Sequence, residues 1–72
     1  MYPHLTGILA NQVYRDYGSQ YSGEYSEFCE LIRDEYEDLF DHNHDIPLSN
    51  MDDDDIEEIL DQAYMEYMQI CP

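Results

Sequence analysis

Twelve acidic side chains fall into two rows whose spacing could present charge to a partner. The first row is Glu27, Glu30, Asp34, Glu37, Asp38 and Asp41; the second is Asp53, Asp54, Asp55, Glu57, Glu58 and Asp61. Placed at 100° per residue, the first row lies opposite an apolar stripe, and Asp54, Glu58 and Asp61 lie away from a second stripe. Carboxylates in such rows accept hydrogen bonds and attract cations. The second row lies in MDDDDIEEIL, where six of ten residues are acids and none is Lys or Arg. A helix start explains some of them: Asp52 suits an N-cap, and Asp53, Asp54 and Asp55 suit a first turn facing the positive end of the helix dipole. It needs nowhere near four Asp followed by Glu57 and Glu58.

The density of charge is informative. Eight acids lie from Glu24 to Asp41 and eight from Asp52 to Glu66, over about 26 Å and about 21 Å of helix. That is one charge per roughly 3 Å, against one per about 3.4 Å for a single DNA strand. Two such helices side by side approach the linear charge of a duplex. A groove lined by Lys and Arg, which grips nucleic acid largely through phosphates, could grip these carboxylates in the same way. Long-range attraction would speed the encounter. Leu31 and Met65 fall on the acidic side of their helices and are expected as apolar contacts within that interface. The plainer alternative is a solvated face, kept acidic for solubility or in a salt-rich cell.

A second constellation spans residues 41–52 and looks like an EF-hand calcium loop. Asp41, Asn43 and Asp45 hold loop positions one, three and five, Leu48 and Ser49 positions eight and nine, and Asp52 position twelve. Calcium needs six to eight oxygens around a tight turn. The departures are Ile46 where the turn wants Gly, Pro47 at position seven, and Asp rather than Glu at twelve. An ordinary interhelical loop is the favoured reading. His42, Asn43, His44 and Asp45, with His4, make an incomplete transition-metal set; these imidazoles are better read as charge modulators near neutral pH. No metal or cofactor is expected.

Catalysis has little support. No carboxylate pair is singled out by an apolar pocket, and no phosphate loop or nucleophile motif is present. Cys29 sits among acids, which would raise its pKa and dull it. Nucleic-acid binding by the chain itself is opposed by its charge.

The elements that must carry these rows are helices. The periodicity predicts an all-α, three-helix domain spanning residues 1–72: a near-neutral helix over 4–17 and acidic helices over 24–41 and 52–71. Pro3 and Gly18 suit the start and end of the first, whose apolar face is Leu5, Ile8, Leu9 and Val13. Tyr25, Phe28, Cys29, Ile32, Tyr36, Leu39 and Phe40 share a face in the second. Ile56, Ile59, Leu60, Ala63, Tyr64, Tyr67, Met68 and Cys71 form the stripe of the third, with Met51 and Ile56 spaced as a hydrophobic staple. The acidic helices are expected to pack antiparallel, with the first across their apolar faces. Most of the eight tyrosines read as core; Tyr2, Tyr14 and Tyr21 are less clearly so, and could stack at an interface.

Composition sets the bounds. There are 18 acids against Arg15 and Arg33, a net charge of −16, and 43% apolar residues. Seventeen of the acids lie between Glu24 and Glu66. The apolar content argues for a fold, and the charge must destabilise it. A chain of 72 residues buries a thin core, so a partner or homodimer would help. Two cysteines suit a reduced compartment, and neither a signal segment nor a membrane span is apparent. A cytoplasmic protein is expected.

Over residues 24–66, in EYSEFCELIRDEYEDLFD and MDDDDIEEILDQAYMEYM, the chain resembles small phage-encoded DNA-mimic proteins. That class includes antirestriction proteins, anti-CRISPR proteins and uracil-DNA glycosylase inhibitors. The resemblance lies in composition and charge layout and carries no residue over position by position. It implies stoichiometric inhibition of a nucleic-acid-binding enzyme, such as a CRISPR-Cas effector or restriction enzyme, inside a bacterial host. Two other classes stay open: a calcium-binding module built on loop 41–52, and an acidic adaptor for a basic protein.

Overall fold

A computed structural model describes residues 3–71, with side chains from Leu5 to Cys71. The expectations for Tyr2 and for the side chain of His4 lie outside the described residues. The chain is all-helical: α1 is Pro3–Tyr17, α2 is Tyr25–Glu35, α3 is Glu37–His42, and α4 is Asp53–Ile70, with a single 3₁₀ turn at Leu48–Asn50 before α4. No strand occurs among the described residues. No helix among them is long and apolar enough to cross a membrane.

The main interface is α1 against α4. Leu5, Leu9 and Val13 of α1 and Ile56, Leu60, Ala63 and Tyr67 of α4 are buried in one core. Small residues let the two backbones approach. Ala10 and Ala63 are both fully buried. A Cβ added at Gly7 would lie 3.5 Å from Glu66 Oε1. Gly18 ends α1 in the left-handed region at φ 63°, where its N–H bonds the Tyr14 carbonyl at 2.7 Å. A residue with a Cβ pays for that conformation, and glycine does not.

The connector 18–23 is held by α4 through tyrosine tips. The Tyr67 hydroxyl donates to the Gly18 carbonyl at 2.6 Å and accepts the Tyr21 N–H at 3.0 Å. The Tyr64 hydroxyl accepts the Gly23 N–H at 2.8 Å. These rings also enter the core: Phe28 stands 5.2 Å from both Tyr64 and Tyr67. One side chain thus fills the interior and satisfies a turn that has no ladder of its own.

The single helix expected over 24–41 is two helices, broken at Tyr36, where φ is −113° and ψ 19°. Neither Pro nor Gly is present to cause it. The break coincides with tertiary bonds to the last turn of α1. The Tyr36 hydroxyl donates to Asp16 Oδ2. The Tyr17 hydroxyl donates to the Glu35 carboxylate, 3.0 Å from each oxygen. Backbone bonds still meet at the bend: the Tyr36 N–H donates to the Ile32 carbonyl at 3.1 Å, and the Tyr36 carbonyl accepts the Phe40 N–H at 2.9 Å. After Tyr36 the chain resumes as a separate short helix, α3.

Two further expectations change. Leu31, expected outside, is 6% exposed and belongs to the core. Its helix has two neighbours: α4 through Phe28, and α1 through the clamps at Glu35 and Tyr36. A helix covered from two sides buries a wider arc than its apolar stripe, so Phe28, Leu31 and Ile32 go in while Tyr25 and Cys29 stand half-buried at the edge. Met68, expected in the stripe of α4, is 39% exposed; it reaches back to the connector, where the Ser22 hydroxyl donates to its sulfur at 3.5 Å.

Candidate partner-binding surface

The acidic rows sit on α2, α3 and the first half of α4. α2 runs counter to α4. Its first residue, Tyr25, stacks edge-on against Tyr64 with ring centroids 5.1 Å apart. Further along α2, Cys29, Glu30 and Arg33 share a cleft with Glu57 and Leu60, nearer the start of α4. Rising numbers on one helix meet falling numbers on the other. The outward faces of the two helices therefore lie side by side.

Of the twelve row residues, Glu27, Glu30, Asp34, Asp38, Asp53, Asp54, Asp55, Glu57, Glu58 and Asp61 are exposed; Glu37 and Asp41 are half-buried. Glu24 and Glu35 are exposed too. The six acids of α4 from Asp53 to Asp61 span about 12 Å of axis, or one per about 2 Å. A duplex carries one per about 1.7 Å with both strands counted. The row on α2 is looser, and after Tyr36 it turns with α3. Asp52 occupies the N-cap position, and its carbonyl accepts the Ile56 N–H at 3.0 Å. Its side chain makes no capping bond. The N-cap position is the expected one and only the side-chain bond is absent; the carboxylate is exposed with the rest of the run.

Asp41 is occupied internally. Its Oδ1 accepts the Leu48 N–H at 2.7 Å, which closes the loop from α3 to the 3₁₀ turn over the buried Leu48. Asn43 donates its side-chain amide to the Leu39 carbonyl at 2.9 Å, and His44 packs on Phe40 with centroids 5.3 Å apart. The His44 Nδ1 accepts the Ile46 N–H at 3.0 Å. The residues proposed for a calcium loop, Asp41, Asn43, Asp45 and Asp52, thus bond locally or face solvent. Among the described residues, no three His, Cys, Asp or Glu side chains converge as metal ligands.

Sequence reasoning missed the cleft itself. It holds about 390 Å³ and is lined by Tyr25, Ser26, Cys29, Glu30, Arg33, Glu57 and Leu60. The Tyr25 hydroxyl is buried beside the Asp61 carboxylate and the Cys29 thiol. Burial, then the neighbouring Asp61 carboxylate and Cys29 thiol, push its phenol well above the ordinary tyrosine range. Burial also raises the Cys29 thiol, with the Tyr25 hydroxyl and the Arg33 guanidinium pulling the other way. Burial, more than the surrounding acids, is what dulls this cysteine. Met65, at 57% exposed, is the apolar neighbour of the acidic run that remains available, and Met68 joins it one turn on.

Comparison with known proteins returns no family model, no curated protein and no solved structure that matches the chain.

Proposed function

We propose that this protein is a nucleic-acid mimic. It blocks a basic nucleic-acid-binding enzyme, a CRISPR-Cas effector or a restriction enzyme, by occupying the groove that grips phosphates. The observation that carries this reading is the counter-running pair α2 and α4, with exposed carboxylates on both sides of one cleft. Size supports it as well: the chain extends 33 × 20 × 20 Å, and one turn of B-DNA rises about 34 Å. A groove shaped for a turn of duplex would meet a body of similar length and charge density. Attraction of this kind is steep in salt, as phosphate contacts are.

The interface is Glu27, Glu30, Asp34 and Asp38 with Asp53, Asp54, Asp55, Glu57, Glu58 and Asp61, and Met65 at its margin. Action is stoichiometric, in the cytoplasm of a bacterial host. The test is capture of partners from a bacterial lysate by the tagged protein, at low and high salt, with and without duplex DNA in excess. DNA-binding enzymes that salt and duplex both displace are expected. Reversing Glu27, Asp34, Asp54 and Glu58 to Lys should abolish their capture at unchanged helix content. Basic partners that duplex DNA leaves in place would refute mimicry and leave an acidic adaptor.

A further inference from the structure

The interruption at Tyr36 has no cause within its own stretch of chain. Residues 24–41 hold neither Pro nor Gly. Tyr25, Phe28, Ile32, Tyr36 and Phe40 recur at a spacing that one continuous helix places on a single face. Yet three helical bonds are not made, those from the Glu37, Asp38 and Leu39 N–H groups to the Arg33, Asp34 and Glu35 carbonyls. Tyr36 puts no side-chain cap on α3 in their place; its hydroxyl is turned to Asp16 instead. Orphan groups at a helix end are left to water. The bonds flanking the joint, Tyr36 N–H to Ile32 and Phe40 N–H to Tyr36, are intact. Passage to a continuous helix therefore centres on one residue, whose φ of −113° and ψ of 19° must turn by about 50° and about 60°. Single joints between elements that absorb such a turn are where hinges occur.

What holds the interruption lies outside the two helices it separates. The Tyr36 hydroxyl donates to Asp16 Oδ2, and the Tyr17 hydroxyl donates to both oxygens of Glu35 at 3.0 Å. The two bonds are reciprocal: α1 supplies one carboxylate and one phenol, and the joint supplies the other of each. Both carboxylates are exposed, so a cation arriving from solvent competes with the phenols for them. We propose that Tyr36 is a hinge and that these two bonds are its catch; when they open, α2 and α3 close into one helix over residues 25–42. The continuous form sets Glu27, Glu30, Asp34, Glu37, Asp38 and Asp41 along one side. The interrupted form keeps Glu37 and Asp41 half-buried, with Asp41 bonded to the Leu48 N–H. A partner carrying a row of cations binds the continuous form better and draws the equilibrium toward it. This coupling rests on the mimic reading; the hinge itself does not.

Two variants open the catch from opposite sides. Tyr17→Phe with Tyr36→Phe removes the donors and keeps the rings. Asp16→Ala with Glu35→Ala removes the acceptors, both at exposed positions. Amide hydrogen exchange and Cα shifts of the isotope-labelled variants are compared with those of the unaltered protein. In both, the Glu37, Asp38 and Leu39 amides should exchange about twofold to tenfold more slowly, the effect of one added hydrogen bond each. The Tyr36 Cα shift should move to a helical value. A fold that is only weakened would speed the same amides, so the sign decides. Unchanged or faster exchange, or failure of both variants to fold, would overturn the hinge and make the two bonds plain supports. Decalysine then probes the coupling at fixed salt: the phenylalanine variant should bind it about twofold to fivefold more tightly than the unaltered protein, the worth of one exposed ion pair. Equal or weaker binding by a variant with slowed amides would overturn the coupling and leave the hinge. Neither failure touches the mimic reading, which stands or falls on displacement by duplex DNA.

Discussion

Tyr67→Phe should be among the most damaging conservative changes in this protein. The ring is fully buried, and Phe keeps its packing against Phe28. What is lost is one oxygen that serves two backbone groups, the Gly18 carbonyl and the Tyr21 N–H. A buried group left without a partner costs about 1–3 kcal/mol. Gly18 and Tyr21 are half-buried, so water recovers part of that, and a total of about 2–3 kcal/mol is expected. A chain of this length has a total stability of roughly 4–11 kcal/mol, so the loss is a large share. The corresponding fall in Tm is about 10–20 °C. Urea unfolding followed by far-ultraviolet circular dichroism measures the difference directly. Tyr64→Phe is the internal control: its hydroxyl serves one exposed N–H, and about 1 kcal/mol or less should be lost. Equal effects from the two variants would refute the idea that the connector is held from within the core. The functional stake is that this connector sets where α2 begins, and so where its carboxylates stand against α4.

The clamp between Asp16 and Tyr36 should give stability a defined pH window. Its hydrogen bond to Tyr36 holds the Asp16 carboxyl below its ordinary value of 3.8, so this contribution is complete above that value and lost as pH falls through the lower folded one. Burial and the same bond raise Tyr36 above 10.0, so its contribution is complete below 10.0 and lost as pH rises through the higher folded value. Tyr36→Phe should therefore flatten both ends of a plot of Tm against pH, and an unchanged profile would remove the clamp. Gly18→Ala should cost about 1–2 kcal/mol in urea unfolding, because no atom crowds a new Cβ there and the positive φ is the whole penalty; a neutral result would mean that the turn relaxes. Raising salt from 0.01 M to 0.3 M should raise Tm by shortening the reach of carboxylate repulsion, and a fall in Tm would show that repulsion does not limit the fold.

The sequence by itself determined the helical class and the places of most helix ends. The 3.6-residue recurrence of Leu5, Leu9 and Val13, or of Ile56, Ile59, Leu60 and Ala63, has one solution for burying its apolar atoms, and Pro3 and Gly18 mark ends through their own dihedral limits. It also determined that the acidic run of α4 from Asp53 to Asp61 faces water, since a dense run of unpaired carboxylates has no place inside. The tertiary structure alone decided the break at Tyr36, because its clamps join residues about twenty positions apart and leave no local trace. The same holds for Leu31, whose burial depends on how many neighbours its helix acquires. It holds again for Met68, drawn to the connector by Ser22. The cleft is the clearest case. Glu30 and Arg33 come from one helix and Glu57 from another, and what brings them together is the counter-running packing of α2 on α4, a contact between distant parts of the chain that no local pattern encodes.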